Sequence, residues 1–235
     1  MSDTARLRTL VSEYARTTLG RYEIGEVLYR LTDHALPFLG SDGAGVSLGD
    51  GDGDLRFVTA TDDQVVRVEE KQVQSQSGPC HEAFRTGKPT VVDDLRDIDD
   101  PRWGDYPAFA IAQGCRSVLG IPMFADGRTI GALNVYRHDA GPWDETTVDD
   151  AQLIADMASA YVVNDRTLAE SRLLADQLQN ALDSRVVIEQ AKGILSERHG
   201  TDVAAAFQRL RAHARQTNQR LHAVAQAVVD GEVEL

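Results

Sequence analysis

Cysteine is scarce in this sequence: Cys80 and Cys115 are the only two among 235 residues. Two thiols cannot build the disulfide framework of a small secreted domain, and neither lies in a CxxC pair that would indicate a metal site. Long apolar runs are also lacking, because no stretch approaches the roughly 18 consecutive apolar residues of a membrane span. The N-terminal residues have no apolar signal-peptide core. We therefore expect a cytoplasmic protein with reduced thiols and no membrane segment.

Patterns typical of catalytic sites are missing as well. The sequence contains no glycine-rich phosphate loop and no recognisable arrangement of serine, histidine and aspartate. We therefore predict that the protein is not an enzyme and that it carries no cofactor or catalytic metal.

Basic charge is in deficit over the whole chain, where 24 Lys and Arg against 37 Asp and Glu give a formal net charge of −13. The deficit is confined to residues 1–165, because residues 166–235 hold nine basic and nine acidic residues. Between Arg185 and Arg220, seven basic residues accompany only three acidic ones. An acidic body with a basic end indicates a nucleic-acid partner, since phosphate binding depends on Lys and Arg.

Apolar spacing predicts two amphipathic helices at the start of the chain, over residues 4–19 and again from Ile24 up to Pro37. A helix is also expected at Pro79–Thr86, and Asp97–Gln113 is a variable segment with spaced aromatic residues. Glycine-rich turns separate short β-like runs. The predicted strands are Ala44–Leu48, Leu55–Ala60, Thr90–Val92, Ser117–Phe124 and Thr129–Tyr136. Hairpins interrupted by helices favour an α+β domain built on an antiparallel sheet.

Helix-breaking residues are absent over a long stretch: no proline occurs from Asp144 to His199, and no glycine between Gly141 and Gly193. One long helix is therefore predicted. Apolar residues at heptad a and d positions indicate a helical stalk that pairs with a second copy, although packing on its own domain is the alternative. These positions are Ile154, Met157, Tyr161, Leu168, Ala175, Leu178 and Leu182, with Asn164 and Ser171 as polar interruptions.

Two short helices are predicted after Gly200, which ends the long one. Thr201 or Asp202 can cap the first of them, and Thr217 or Asn218 can start the second. Their apolar faces predict a small three-helix bundle with the end of the stalk. The apolar residues are Val203, Ala206, Phe207, Leu210 and Ala214, then Leu221, Val224, Ala225 and Val228.

Three basic or potentially basic residues, Arg185, Lys192 and His199, are spaced seven apart and so share one face of the long helix. Gly193 lies beside this face. Glycine inside a helix costs about 1 kcal/mol relative to alanine, so its presence indicates a close approach there. Either a returning helix or a ligand can supply that approach.

The stretch ALDSRVVIEQAKGILSERHG followed by AFQRL and VAQAVV resembles the ANTAR module, the RNA-binding domain of the AmiR and NasR antitermination regulators. The resemblance covers about fifty residues; Ser196 departs from it, because methionine is common there. It implies a dimer that recognises paired stem-loops in nascent mRNA and prevents a terminator hairpin from forming. The residues that it places at the RNA are Arg185, Ala191, Lys192 and Gly193. Three nearby arginines, Arg211, Arg215 and Arg220, are further candidates, with ordinary solvated surface as the alternative.

The order of helices and strands, with SGPCHEAFRTGKP and then SVLGIPM and IGALNVY, resembles a GAF domain. GAF domains are small-molecule or protein sensors, so the resemblance implies a signal of one of these kinds. Residues proposed for a sensor pocket are Cys80, Trp103, Tyr106 and Phe109. The aromatic residues could equally belong to a satellite core, and Cys80 could be a redox thiol or a small buried hydrophobe.

These patterns divide the chain into four parts: an N-terminal helix (1–19), a GAF sensor domain (20–163), a helical stalk (164–184) and an ANTAR domain (185–235). The predicted function is signal-responsive transcription antitermination by a cytoplasmic homodimer. A helical DNA-binding repressor and a protein-interaction adaptor are the alternatives.

Overall fold

The computed structural model describes Tyr14, residues 23–50 and residues 52–235. The helix predicted over residues 4–19 therefore lies outside the described residues, except for Tyr14. The chain forms two compact units, Met1–Arg166 and Thr167–Leu235.

The first unit combines helices with a five-stranded sheet. Its helices are α1 (Ile24–Leu39), α2 (Asp63–Ser75), α3 (Pro79–Thr86), α4 (Tyr106–Ala112) and the first part of α5 (Glu145–His199). Its strands are β1 (Gly43–Gly49), β2 (Leu55–Ala60), β3 (Thr90–Val92), β4 (Ser117–Ala125) and β5 (Arg128–Arg137). Short 3₁₀ turns lie at Leu95–Asp97 and Pro101–Trp103.

The strands are ordered β2-β1-β5-β4-β3, and every neighbouring pair is antiparallel. This confirms the predicted α+β class with an antiparallel sheet. Each observed strand includes the predicted run and extends it by at most one residue at either end, because alternating apolar residues and turn glycines act locally.

The sheet is covered by helices on both faces. Alternate residues of the central strands, such as Val46, Ile121 and Leu133, pack with α1 and the first part of α5. Residues of opposite parity, including Val118 and Tyr136, pack with α2 and α4. The second layer brings Ser47, Glu69, Gln72 and Asn134 together in the interior.

Three helical features differ from prediction. Helix α2 has no counterpart among the predicted helices, and the variable segment 97–113 contains helix α4. Helix α1 continues through Pro37 to Leu39 rather than ending before the proline. Gly40 ends it in a left-handed conformation with φ of 54°, which glycine adopts without steric cost.

The predicted long helix is confirmed as α5, which spans 55 residues. Asp144 accepts a hydrogen bond from the Thr147 backbone N–H at 2.8 Å and so caps its first turn. Residues Ala151 to Val162 of this helix contribute to the core of the first unit, and Ala191 and Leu195 contribute to the core of the second.

The second unit contains the end of α5, helix α6 (Val203–Gln216) and helix α7 (Leu221–Val229). The predicted three-helix bundle is confirmed, and Asp202 caps α6 through the Ala205 N–H at 2.7 Å. Two details were wrong. Helix α7 is preceded by Arg220 rather than by Thr217 or Asn218, and Val203 is 46% exposed rather than part of the apolar face. The core residues are Ala191, Leu195, Ala206, Leu210, Ala214, Val224, Ala225 and Val228.

Candidate functional site

The basic face of the second unit includes Arg185, Lys192 and His199 on α5. Arg185 and His199 are exposed, and His199 Nε2 lies against the Leu235 carbonyl oxygen. Lys192 is held more firmly. Its Nζ donates to both carboxylate oxygens of Glu189 at 2.8 Å and lies 5.4 Å from the centroid of the Phe207 ring. The Lys192 side chain is 16% exposed and that of Glu189 is 54% exposed, so a phosphate that binds Lys192 would replace Glu189 as its ionic partner.

Ala191, another predicted RNA contact, has no accessible surface. Its methyl group packs in the core of the bundle with Leu195 and Leu210. In the structure of this chain Ala191 therefore supports the basic face from beneath and does not line its surface.

Gly193 is exposed, and a Cβ built there would meet no atom within 4 Å. Packing of the described chain therefore does not require glycine at this position. Of the two explanations that the sequence allows, approach of a returning helix is wrong. Approach of a ligand stays a prediction.

Arg211, Arg215 and Arg220 lie on α6 and at the start of α7. Arg211 Cζ is 5.7 Å from the centroid of the Phe207 ring that Lys192 also approaches. The basic residues of α5 and α6 therefore meet at one aromatic ring. Residues 203–229 contain four arginines and no aspartate or glutamate, so this segment carries a positive formal charge.

A second candidate site is a buried polar cluster in the first unit, centred on Glu69 of α2. The Glu69 side chain has no accessible surface and forms no ion pair within the described residues. Its carboxylate accepts hydrogen bonds from Tyr136 Oη at 2.6 Å, Asn134 Nδ2 at 2.8 Å and Ser47 Oγ at 3.1 Å. Three donors thus replace a cationic partner.

The sheet makes room for Glu69 at a glycine. A Cβ at Gly45 would lie 2.7 Å from Glu69 Cγ, which is closer than side chains tolerate. Gly45 pairs with Asn134 across β1 and β5, and Gly120 pairs with Asn134 across β4 and β5. Interior strand glycines often mark such close approaches.

The cluster extends to the start of α3. Gln72 Nε2 donates to Tyr136 Oη at 2.9 Å, while Gln72 Oε1 accepts from the Cys80 backbone N–H at 2.9 Å. Burial raises the pKa of the Cys80 thiol well above its ordinary value, and the nearby Glu69 carboxylate adds to the effect. Since the thiolate is the reactive form, this environment does not favour a redox thiol.

Two buried polar atoms of this interior, Tyr106 Oη and Asn134 Oδ1, form no well-aligned hydrogen bond among the described residues, although Tyr136 lies near Tyr106 and Cys80 lies near Asn134. The Tyr106 hydroxyl can therefore still donate a hydrogen bond, and the Asn134 side-chain oxygen can still accept one. Such groups are costly unless water or a ligand satisfies them.

The four residues predicted for a sensor pocket lie around or beside this interior. Cys80, Trp103 and Tyr106 are buried, and Phe109 is half-buried under Lys71 Nζ at 5.7 Å from its ring centroid. The rings of Trp103 and Tyr106 meet edge to face, with centroids 6.1 Å apart. Both belong to the apolar core of this sheet face.

Sequence reasoning missed Glu69, Gln72, Asn134 and Tyr136. The signals that could have found them were Asp62, which caps α2 through the Gln64 and Val65 N–H groups, and the glycines in the middle of β1 and β4. Polar residues facing inward interrupt the apolar period that normally reveals a helix.

A sheet covered by helices on both faces, followed by a long helix and a small helical bundle, gives the chain a two-domain organisation. The chain belongs to the GAF domain family, which matches residues 23–162. An ANTAR domain follows at residues 176–229. This confirms both resemblances of the sequence.

Solved structures support the fold of the first unit. The GAF domain of an Acinetobacter phosphoenolpyruvate-protein phosphotransferase is 12% identical, with 72% of this chain and 99% of that chain covered and a TM-score of 0.56. The corresponding domain from Coxiella burnetii is 14% identical, with 72% and 99% covered and a TM-score of 0.54. Free methionine-R-sulfoxide reductase from Neisseria meningitidis is 19% identical, with 72% and 95% covered and a TM-score of 0.54. At these identities the likeness concerns the fold alone.

No curated protein sequence is significantly similar to this chain. Within the described residues, every helix is too short or too polar to cross a membrane.

Proposed function

We propose that this chain is a signal-responsive transcription antitermination regulator. Its ANTAR domain binds paired stem-loops in nascent mRNA, under the control of the GAF domain. The observation that carries the proposal is the positive surface of the ANTAR bundle, where Lys192 and Arg211 lie over one Phe207 ring. The antitermination role of the ANTAR family supports RNA as the nucleic acid. Binding to nascent mRNA would place the protein in the cytoplasm.

A folded RNA target suits the residues on this surface. Phe207 is the only aromatic residue from residue 180 to the end of the chain, and it is half-buried. General single-strand binders stack bases on several aromatic side chains, which this domain does not offer. Recognition of a hairpin can instead combine phosphate contacts with loop bases that the RNA itself presents.

The active form in this proposal is a homodimer, because two stem-loops require two binding surfaces. Helix α5 supplies an exposed apolar stripe for pairing. Leu178 and Leu182 occupy heptad positions and are 58% and 59% exposed in one copy. Pairing through these leucines would bury apolar area that a single chain leaves in water.

The signal, in this proposal, acts on the GAF interior. The open hydrogen-bonding atoms Tyr106 Oη and Asn134 Oδ1 support a small polar ligand at the Glu69 cluster. Helix α5 contributes to the cores of both units. A ligand controls RNA binding only if it has different affinities for two arrangements of this helix. Neither domain is proposed to catalyse a reaction.

In vitro selection tests the RNA claim and does not require a known transcript. A library of RNAs with two fixed stems and randomised loops is selected on the full chain. The enriched RNA, its loop-scrambled version and duplex DNA of equal length are then titrated by electrophoretic mobility shift. We expect at least a roughly tenfold preference for the enriched RNA, and steep weakening by salt.

Matched variants locate the surface. Lys192→Ala should weaken binding roughly tenfold, because a phosphate contact is lost. Arg198→Ala removes an exposed arginine side chain from the same helix. Because Arg198 lies outside the proposed contacts, this variant should change binding little. Equal affinity for all three nucleic acids would contradict specific RNA recognition. Preference for DNA would favour a repressor, and no binding at all would favour a protein adaptor.

A further inference from the structure

A cleft of about 360 Å³ opens on the ANTAR domain beside the junction of α6 and α7. It is lined by Arg211, Ala214, Arg215, Asn218, Gln219 and Leu221. Its volume falls at the lower end of the range of small-molecule sites. The cleft is shallow and open to solvent, and its size suits one compact chemical group.

Polar groups without an ionic or hydrogen-bond partner converge on this cleft. Arg211 and Arg215 lie one helical turn apart and form no ion pair within the described residues. The side-chain amides of Asn218 and Gln219 are exposed and make no hydrogen bond in the described part of the chain. The lining therefore offers two cationic donor groups and two amides that can both donate and accept.

The floor of the cleft is apolar. Ala214 is buried in the bundle core and Leu221 is half-buried against it. The lining contains no acidic residue. An anionic group with a flat, polar-edged body fits this combination, because guanidinium groups bind phosphate and amides bind the edges of heterocyclic bases.

We propose that this cleft receives one unpaired nucleotide from the loop of the bound RNA. Arg211 and Arg215 bind its phosphate, and the Asn218 and Gln219 amides read the edge of its base. The inference rests on the proposed RNA-binding function and deepens it by naming what enters the cleft. An unpaired loop base exposes its Watson–Crick edge to these amides, whereas the major-groove edges of an RNA helix lie too deep for side chains to read.

The position of Arg211 connects the cleft with the rest of the interface. Its guanidinium lies 5.7 Å from the Phe207 ring centroid, and Lys192 lies 5.4 Å from the same centroid. A strand held by Lys192 therefore passes close to the cleft. The phosphate of a loop nucleotide that leaves the stem at this point lies within reach of Arg211 and Arg215.

The test uses the full chain and the twin stem-loop RNA obtained by selection. Each loop nucleotide is replaced in turn by an abasic nucleotide, and each RNA is titrated against wild type and against Asn218→Ala/Gln219→Ala. We expect one loop position at which base removal weakens wild-type binding roughly tenfold or more but weakens the double variant little. This non-additivity identifies the base that the amides contact.

A second measurement tests the phosphate contact. Arg211→Ala should lower the slope of log affinity against log salt by roughly 0.7, as expected for one lost single-strand phosphate contact. Arg209→Ala is the matched control, because Arg209 is exposed on the same helix and does not line the cleft. A variant that only perturbed folding would not change this slope selectively.

The outcomes separate the inference from the function on which it rests. Specific RNA binding with additive losses at every loop position, or equal salt slopes for Arg211→Ala and Arg209→Ala, would overturn the cleft assignment alone. Binding of free mononucleotides at the cleft with no RNA preference would overturn both, since a soluble nucleotide would then be the ligand. Failure of selection to enrich any twin stem-loop would also overturn both.

Discussion

Glu69 shows at the residue scale how the GAF interior differs from an apolar core. It is fully buried, yet its partners are the neutral donors Tyr136, Asn134 and Ser47. Burial raises the pKa of the Glu69 carboxyl above its ordinary value of 4.5, although the three hydrogen bonds oppose the shift. The protonated form is therefore favoured in the folded protein more than in the unfolded chain.

This shift predicts a pH-dependent effect of Glu69→Gln. A carboxyl whose pKa is raised by folding contributes stability that is fully present below its unfolded pKa and lost as pH rises through the folded pKa. The amide that replaces the carboxyl does not titrate. We therefore expect the free energy of unfolding of the variant, minus that of wild type, to increase as pH rises above about 4.5, by about 1.4 kcal/mol per unit of raised pKa, and then to level off.

Urea titrations at several pH values measure this difference. Trp103 and Trp143 are the only tryptophans and both lie in the first unit, so their fluorescence reports on the GAF domain. Glu70→Gln, at an exposed position of the same helix, is the matched control. A difference that did not vary with pH would show that burial leaves the Glu69 carboxyl titrating as in the unfolded chain.

At the element scale, helix α5 passes through three environments that differ in burial. Its first part packs on the sheet, its middle is exposed, and its end packs in the bundle. The predicted heptad positions follow this division, because Ile154 and Tyr161 are buried in the GAF core while Leu178 and Leu182 are exposed. Packing on its own domain, the alternative interpretation of the heptad pattern, therefore holds for the first part of the helix. Pairing with a second copy through the exposed middle stays a prediction.

Gly193 provides a prediction about this element. A methyl group has room there, so Gly193→Ala should stabilise the ANTAR domain by roughly 0.5–1 kcal/mol. The same methyl group should weaken RNA binding, since it obstructs the approach of a ligand to the helix backbone. Thermal unfolding followed by circular dichroism and electrophoretic titration measure the two effects.

Gly200 is the contrasting control for this prediction. It has φ of +58° after the end of α5, so Gly200→Ala should destabilise the domain. If Gly193→Ala bound RNA as tightly as wild type, Gly193 would not lie at the interface, and its occurrence would need another explanation.

At the scale of the whole molecule, the exposed leucines of α5 predict the oligomeric state. Leu178→Glu/Leu182→Glu should convert the proposed dimer to a monomer, because each leucine loses about 1.5–3 kcal/mol of burial and the dimer contains both copies. The dissociation constant should therefore rise by a factor on the order of a thousand or more. Sedimentation velocity over a range of protein concentrations measures this change.

Leu173→Glu is the matched control, since Leu173 is 60% exposed on the same helix but lies outside the heptad a and d positions. It should leave the dimer intact. Equal behaviour of both variants, or a wild-type chain that sedimented as a monomer at all concentrations, would contradict pairing through this stripe. The monomeric variant should also lose preference for two stem-loops over one.

Local patterns predicted most elements of this protein. The strands, the 55-residue helix and the two short helices after Gly200 follow from apolar periodicity and from the positions of glycine and proline, because these preferences act between residues close in sequence. The positive charge of residues 203–229 is likewise a property of composition. The sequence by itself therefore determined the fold class, the order of domains and the sign of charge on the proposed RNA-binding bundle.

Tertiary structure alone decided which residues meet. Glu69 and Asn134 are 65 positions apart, and only the sheet register that places Gly45 opposite Asn134 brings them together. The cleft beside Arg211 likewise depends on how α6 and α7 pack, and the burial of Ala191 depends on the bundle core. Side-chain periodicity reports which face of an element is buried. It carries no information on the partner that buries that face, because that choice depends on contacts between segments distant in sequence.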